Sequence, residues 1–301
     1  MRESIERFYA AAGDADESVL AEVLHPDVRH FLIAPDPGDE PVVGAAPLIE
    51  SIAGAARALG ARWSVDHLLV AGGTACVEWS MTTDEAEHGA QRGCEWVELD
   101  GARIDEFRSY AQTGIAGTEL DGYPYAQGIP DAAAGAASTP RAGADSERLP
   151  GIIAYYDACT AADAEALARF FTDDVVHYFV RPNVGSAPVR GREHLARYWR
   201  KVARLIDARW VVESIIERGD EAVIEWSMYW APAGGDERIV TRGTEWYLFR
   251  DGLIAEIRSY HRQLERSTEL GGFPYADRGY STLGHEASNL HPGVGADRQN
   301  G

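Results

Sequence analysis

The stretch GTEWYLFRDGLIAEIRSYH, residues 243–261, decides the fold because the chain carries a second version of it, GCEWVELDGARIDEFRSYA, at residues 93–111. The tetrapeptide EWSM also occurs twice, starting at residue 78 and again at residue 225, 147 residues later. The repeat units of solenoid proteins are much shorter than this distance. The sequence therefore predicts one domain that is written twice.

Composition and charge limit the classes of partner. The chain has 301 residues, of which 45% are apolar and 25% charged, its formal net charge is −20, and Lys201 is its only lysine. Nucleic acids and anionic membranes bind clustered positive charge, so we expect neither as a partner. No apolar run approaches the roughly 20 residues of a membrane span, and we expect a cytoplasmic protein. The Arg-rich, Lys-poor composition favours a bacterial source and a role in specialised metabolism.

The repeat divides the chain into four parts. We predict domain 1 at residues 1–127, a flexible linker rich in Ala, Gly, Pro and Ser at 128–150, domain 2 at 151–280 and a mobile tail at 281–301. The three cysteines lack the spacing of a metal or redox motif, so we expect them to be reduced and structural.

Each copy places its helices before its strands. In copy 1, apolar residues follow helical spacing at residues 3–13 and 16–24, and Asp16 is a candidate helix cap. A short β-branched and aromatic run comes next, then a third helix, and after it only strands. This order predicts an α+β fold in which helices pack on a curved antiparallel sheet.

The segments FTDDVVHYF (171–179) and WYLFRDGLIAEIRSY (246–260) resemble the nuclear transport factor 2-like superfamily, and more narrowly its SnoaL-like branch of polyketide cyclase relatives. The resemblance covers both copies and implies two cone-shaped domains. Such domains commonly pair as homodimers, so a fused pair would form an internal pseudo-dimer, as a monomer or within a further homo-oligomer. The superfamily includes ketosteroid isomerases, cyclases, dehydratases and epoxide hydrolases as well as members without catalytic activity, and it usually needs no metal.

Strand alternation and the resemblance together indicate which side chains face the inside of each cone. Alternation places Trp226 and Met228, and in copy 1 Trp79 and Met81, on the apolar inner face. Alignment through FRDG implies that the remaining inward residues are Glu245, His177, Phe179, Ser259 and His261, with His30 and Glu95 in copy 1. Tyr155 and Trp199 are expected to complete the apolar wall from the helices.

These residues suggest proton transfer on a small organic substrate without a cofactor or metal. A histidine with a pKa of about 6.5 can accept a proton at neutral pH, and an apolar cavity raises the pKa of a carboxyl group. We expect His177 to be the general base, Glu245 the acid or oxyanion partner, and His261 and Ser259 orienting groups. His261 has only Ala111 as its counterpart, so copy 2 is expected to be the active one. The alternative is a satisfied buried polar pair in a non-catalytic binding or assembly protein.

Two further features carry predictions. Opposite charges alternate onto the outer faces of the strands, where they would form cross-strand pairs in a sheet-to-sheet contact: Glu78, Glu225, Arg92, Arg242, Arg108 and Arg258. The segment TELxGxPYA occurs at residues 118–126 and 268–276. Its aromatic residues around a proline would form either a lid over a cone mouth or a brace on the sheet.

Overall fold

The computed structural model describes residues 1–33, 40–84, 90–110, 118–128, 137–139, 146–181, 183, 185–232, 235 and 237–291. Domain 1 contains helices α1 (Arg2–Asp14), α2 (Glu17–Val23) and α3 (Ala45–Leu59). Its strands are β1 (Leu24–Leu32), β2 (Val42–Val43), β3 (Arg62–Ala71), β4 (Thr74–Thr82), β5 (Gln91–Asp100) and β6 (Arg103–Ser109).

Domain 2 repeats this order. Its helices are α4 (Leu149–Thr160), α5 (Ala164–Ala168) and α6 (Arg192–Ile206). Its strands are β7 (Phe171–Phe179), β8 (Val189–Arg190), β9 (Arg209–Arg218), β10 (Glu221–Trp230), β11 (Ile239–Arg250) and β12 (Leu253–His261). The predicted α+β class and duplication are confirmed.

The two sheets have equivalent topologies. The strand orders are β2-β1-β6-β5-β4-β3 and β8-β7-β12-β11-β10-β9. All neighbouring strands are antiparallel except β1 with β6 and β7 with β12, which are parallel. The sheets are therefore mixed rather than antiparallel throughout as predicted. The parallel pairs are possible because the third helix and four strands lie between their members in the chain, which is a long enough connection.

Local sequence explains where the short second helices begin. The Asp16 carboxylate accepts hydrogen bonds from the backbone N–H groups of Ser18 and Val19, both at 3.1 Å. Asp163 caps α5 in the same way. Each cap pairs two N–H groups that have no partner within the helix. The predicted cap at Asp16 is confirmed.

Helices cover the concave face of each sheet and enclose an apolar core. In domain 2 this core joins the inner faces of β10 and β11 to α4 and α6, with Tyr155, Trp226 and Tyr247 fully or almost fully buried. Domain 1 has an equivalent core. The inner faces of the strands therefore carry the apolar residues that strand alternation predicted.

The convex faces of the two sheets pack against each other. Their apolar residues form one interdomain core, which includes Trp96 and Tyr110 from domain 1 and Trp246 and Tyr260 from domain 2. Two ion pairs cross this core. Arg258 donates two hydrogen bonds to Glu78 at 2.8 Å, and Arg108 donates to Glu225 at 2.9 and 3.2 Å. The predicted contact between the sheets and the internal pseudo-dimer are confirmed, but Glu78 and Glu225 pair with arginines of the opposite sheet and not across neighbouring strands as predicted.

Each TELxGxPYA segment contacts both domains: Thr118 and Thr268 accept backbone hydrogen bonds from Arg92 and Arg242 of their own domains. Leu120 of the first segment forms a bridge with Val180 just after β7, and Leu270 of the second forms one with Ile33 just after β1. The ring centroid of Tyr123 lies 4.9 Å from that of Tyr178 in domain 2. Neither segment lines the cavity of either cone. These contacts fit a brace that joins the two domains better than a lid.

The segment after domain 2 is packed at least to His291. Ser281 donates hydrogen bonds to Glu213, and the ring of His291 lies 2.9 Å from the carboxylate of Asp157. The predicted mobile tail is therefore wrong for residues 281–291, because its polar side chains pair with groups of domain 2. Residues 292–301 and most of the predicted linker lie outside the described residues. No helix within the described ranges is long and apolar enough to cross a membrane.

Candidate active site

Domain 2 contains a cavity of about 380 Å³ between α6 and the concave face of the sheet. Most of its wall is aromatic or aliphatic, and among the described residues of the wall Glu245 alone carries a carboxylate. Of the residues predicted to bind substrate, the wall contains Phe179, Trp199, Trp226 and Met228. A cavity of this size and composition is typical of a site for a small organic ligand.

Glu245 is held by three hydroxyl groups. It lies opposite Ser259 in the register of β11 and β12, and the Ser259 hydroxyl donates to Oε1 at 2.5 Å. Tyr247, two residues along the same face of β11, donates to Oε2 at 2.5 Å. Tyr156 of α4 donates to Oε2 at 2.8 Å. The carboxylate is therefore fixed in orientation while part of it faces the cavity.

Burial dominates the electrostatics of this carboxylate. It raises the pKa of Glu245 above its ordinary value, and the hydrogen bonds from Ser259, Tyr247 and Tyr156 offset only part of this effect. Burial and the neighbouring carboxylate also raise the pKa of both tyrosines. A carboxyl group with a raised pKa is a stronger base once ionised, which suits it to proton transfer near neutral pH.

His177 lies behind the cavity wall and does not reach the cavity. Its side chain is completely buried, and the ring of Phe179 stacks on it with centroids 4.0 Å apart. Its Nε2 lies 2.6 Å from the Ser259 hydroxyl. Since the single hydroxyl proton of Ser259 is donated to Glu245, His177 must donate its Nε2–H to Ser259. Burial lowers the pKa of His177 well below its ordinary value, so the ring is neutral.

This geometry revises the predicted roles of His177 and two other residues. A side chain without access to the cavity cannot remove a proton from a ligand there, so the geometry does not fit the predicted general base, and His177 instead contacts Ser259, which contacts Glu245. Ser259 joins His177 to Glu245 and is also absent from the cavity wall. Tyr155 is buried beneath the wall, with its ring against Phe171 and Tyr247.

His261 is the histidine that lines the domain 2 cavity. It pairs with Gly243, two residues before Glu245, so the His261 and Glu245 side chains are diagonal neighbours, roughly 7–8 Å apart at Cβ. Burial lowers the pKa of His261 to about 4. A neutral imidazole therefore faces the same space as the glutamate and can donate one hydrogen bond to a ligand oxygen.

Domain 1 has an equivalent cavity of about 320 Å³. Its wall contains the predicted residues His30, Glu95, Trp79 and Met81. The Ser109 hydroxyl donates to Glu95 at 2.5 Å and lies 2.6 Å from Nε2 of His30, and Tyr9 also donates to Glu95. Burial lowers the pKa of His30, although the nearby Glu95 carboxylate opposes this shift.

The copies differ in which histidine reaches the cavity. Leu32 in domain 1 occupies the place of Phe179, and His30 remains in the cavity wall. In domain 2 the Phe179 ring covers His177, and His261 faces the cavity instead. Its counterpart Ala111 lies outside the described residues. Both cavities therefore combine one glutamate with one imidazole, supplied by different strands.

Sequence reasoning missed the tyrosines that hold the glutamates. Tyr9 and Tyr156 occupy the same place in the first helix of each copy, and this repetition was a usable signal. Tyr247 shares a strand face with Glu245, which also pointed to it. Within the described ranges, no group of three or more His, Cys, Asp or Glu side chains is arranged to hold a metal ion.

Comparison with known proteins identifies the domain type. The family model for the SnoaL-like domain matches residues 5–107 and again residues 152–257. A search among curated proteins found no match. Among solved structures, a protein of unknown function with a cystatin-like fold from Methylobium petroleophilum is 31% identical, covers 48% of this chain and 95% of its own, and has a TM-score of 0.35.

Two further solved structures are less similar in sequence. A putative ketosteroid isomerase from Kribbella flavida is 21% identical over 40% of this chain and 82% of its own, with a TM-score of 0.32. An epoxide hydrolase of the LEH-like type from M. tuberculosis is 21% identical over 38% of this chain and 83% of its own, with a TM-score of 0.33. The two family matches cover more than half of the sequence, so this chain belongs to the SnoaL-like domain family and contains two copies of the domain.

Proposed function

We propose that the chain is a cofactor-independent acid–base enzyme that moves a proton on a carbon next to a carbonyl group of a small organic substrate. Isomerases, cyclases and dehydratases share this chemistry. The observation that carries the proposal is the Glu245 carboxylate, which has a raised pKa and faces an aromatic cavity of about 380 Å³.

Glu245 is the general base in this proposal. Hydrogen bonds from Tyr156, Tyr247 and Ser259 fix the carboxylate, so little reorganisation is needed when a substrate proton approaches it. After accepting the proton, the same carboxyl group can return it to a neighbouring atom of the substrate. The apolar wall excludes water and keeps the local dielectric low, which strengthens these interactions.

His261 stabilises the substrate oxygen. Removing a proton next to a carbonyl places negative charge on the carbonyl oxygen. His261 is neutral because burial lowers its pKa to about 4, so its ring can donate a hydrogen bond to that oxygen without being deprotonated. A substrate in the gap between Glu245 and His261 would contact both groups.

The position of the arginines argues against epoxide hydrolysis in this cavity. Arg242 donates to Ser227 at 2.6 Å and to Glu269 at 2.9 and 3.0 Å on the outer face of the sheet. Arg258 is in the interdomain core. No arginine is among the described residues of the cavity wall. An arginine that could activate an epoxide oxygen is therefore absent from that part of the site.

Exchange of carbon-bound protons with solvent tests this proposal without knowledge of the natural substrate. The purified protein is incubated in D₂O with 2-indanone and 2-tetralone, and deuterium uptake is followed by NMR. We expect the wild type to accelerate uptake. Replacing Glu245 with Gln should reduce the rate by about 10²- to 10⁴-fold, because the amide cannot accept the proton.

The equivalent substitution in the other copy is the matched control. Glu95→Gln removes the corresponding carboxylate of domain 1 and should leave most of the exchange intact if domain 2 is the active copy. Circular dichroism and the melting temperature would verify folding. Wild-type uptake at the uncatalysed rate, or full activity in folded Glu245→Gln, would favour a non-catalytic binding protein.

A further inference from the structure

The mouth of the domain 2 cavity carries the only lysine of the chain. Lys201 lies on α6, and six residues of this helix line the cavity at helical spacing: Tyr198, Trp199, Lys201, Val202, Leu205 and Ile206. Because residues three and four apart lie on one face of a helix, they form a single stripe along the cavity. The apolar part of a lysine side chain can follow such a stripe while its ammonium group remains in water at the mouth.

Lys201 has no ion-pair partner among the described residues, although the chain carries a net charge of −20. Two other cations of the same helix are paired: Arg192 lies 3.0 Å from Asp173 and Arg197 lies 3.9 Å from Glu193. The ammonium group is therefore available to an anion from outside the protein.

The surroundings of Lys201 place little negative charge beside it. The helix that carries Lys201 has one acidic residue, Glu193 near its start. Among the described residues of the wall, Asn183 and Gln263 have neutral amide side chains, and Glu245 is the one that carries a carboxylate. Glu245 lies on β11, opposite Ser259 of β12. A ligand in this cavity thus meets a cation at one end and the proposed base inside.

We propose that the cavity of domain 2 takes an aromatic or similarly apolar substrate that carries a carboxylate, with the carboxylate at Lys201 and the apolar body against Trp199 and Trp226. This inference deepens the proposed function, because it names the substrate class of the same site. It also explains how an acidic protein accepts an anion, since the charge never enters the apolar interior, where desolvation would be costly.

The other copy differs at this position. Gly54 on α3 is the counterpart of Lys201, and the nearby lining residues Ser51, Ile52 and Ala55 are uncharged. The cavity of domain 1 therefore has no cation at the equivalent point of its mouth. The domain 2 cavity would therefore prefer anionic ligands, and the domain 1 cavity would prefer neutral ones.

A pair of matched probes tests the inference by binding. Isothermal titration calorimetry would compare 2-naphthoate with 2-naphthamide, which have similar shape and differ in charge. For the wild type at low salt we expect 2-naphthoate to bind about tenfold more tightly, since one opposite charge near 4 Å is worth about 1 kcal/mol in water and more at a protein surface. This preference should decrease at high salt.

Lys201→Met keeps the apolar length of the side chain and removes the charge. It should abolish the preference while leaving the affinity for 2-naphthamide unchanged. Arg204→Met is the matched control, because it removes the same charge from an exposed residue of the same helix that does not line the cavity. It should retain the preference.

The outcomes separate this inference from the proposed function. Equal binding of the two probes by the wild type, a preference that survives in Lys201→Met, or no binding of either probe would overturn the inference. Loss of deuterium exchange in Glu245→Gln would still support acid–base chemistry in each of these cases. Conversely, a carboxylate preference without any exchange activity would support the anion site and contradict the enzyme.

Discussion

At the scale of single residues, both domains contain the same series of histidine, serine and glutamate, but the histidine that faces the cavity differs. A histidine donates to a serine, and the serine donates to a glutamate, in both domains. In domain 2 the histidine of this series is His177, which Phe179 covers, and His261 lines the cavity instead. Domain 2 has Phe179 where domain 1 has Leu32, and this difference accompanies a change in which imidazole faces the cavity.

The lowered pKa of His261 predicts an acid sensitivity that can be assigned to one residue. Above about pH 6.5 the ring is neutral in the folded and unfolded states. Between there and its folded pKa of about 4, only the unfolded state binds the proton, so the free energy of unfolding decreases as the pH falls. His261→Asn should reduce the decrease between pH 7 and pH 5 by about 1–2 kcal/mol, a range that allows for partial exposure of the ring to the cavity.

Urea unfolding at the two pH values would measure this effect. His285→Asn is the control, because His285 is exposed and its substitution should leave the pH dependence unchanged. An identical pH dependence in His261→Asn and the wild type would contradict the prediction.

The sequence predicted the site residues on the strands better than those on the helices. Period-two alternation correctly placed Trp226 and Met228 on the inner face, because a strand has only two faces. The inward position of Glu245 came from the family resemblance, since alternation alone left both faces of β11 open. Alternation could not show that Phe179 would cover His177, because both residues share a face and their packing decides which one reaches the cavity. On the first helix of domain 2, Tyr155 was expected in the wall, but Tyr156 is the residue that holds Glu245, and adjacent helical residues differ in direction by about 100°.

At the scale of elements, the close packing of β10, β11 and β12 depends on one glycine. The Trp226 side chain lies across Gly243 of the neighbouring strand. A Cβ atom at residue 243 would lie 2.4 Å from a Trp226 ring carbon and 2.8 Å from the Tyr260 carbonyl oxygen. Trp226 lines the cavity beside His261, so this glycine also determines the shape of the site.

Gly243→Ala should therefore destabilise the protein and disturb the cavity. The added methyl group forces Trp226 or the backbone of β12 to move, and overpacking of this kind costs about 1–3 kcal/mol. Gly151→Ala is the matched control, because Gly151 lies in α4 with nothing near its missing Cβ, and alanine is favoured in a helix. Urea titration would compare the two, and equal stability of both variants would contradict this account.

At the scale of the whole molecule, the interdomain core contains charges that are almost completely removed from water. Arg258 and Glu78 are 0% and 1% exposed, and the Tyr260 hydroxyl donates to the same carboxylate at 2.7 Å. Arg108, Glu225 and Tyr110 form the equivalent group across the pseudo-twofold relation. Such pairs specify register, because a shifted contact between the sheets would leave buried charges unpaired.

Breaking one of these pairs should be costly and partly reversible by a second change. Arg258→Met leaves Glu78 charged and buried, which we expect to cost about 3–5 kcal/mol of unfolding free energy. Adding Glu78→Gln should recover part of the loss, because it removes the uncompensated charge. Arg250→Met breaks an exposed pair with Asp174 and should cost less than about 1 kcal/mol. Urea unfolding would measure all three, and an equal cost for Arg258 and Arg250 would contradict the interpretation.

The contact of the second TELxGxPYA segment with domain 1 has a consequence for synthesis on the ribosome. The outer face of domain 1 is complete once β6 has emerged, yet the residues that cover it, including Phe273, are translated more than 160 residues later. At roughly 5–20 residues per second this interval lasts about ten to thirty seconds. During that time the nascent chain displays an apolar sheet that can associate with a neighbouring nascent chain. The spacing of ribosomes on the mRNA and the access of chaperones therefore influence whether the domain 1 sheet packs on domain 2 of its own chain or on a neighbouring chain.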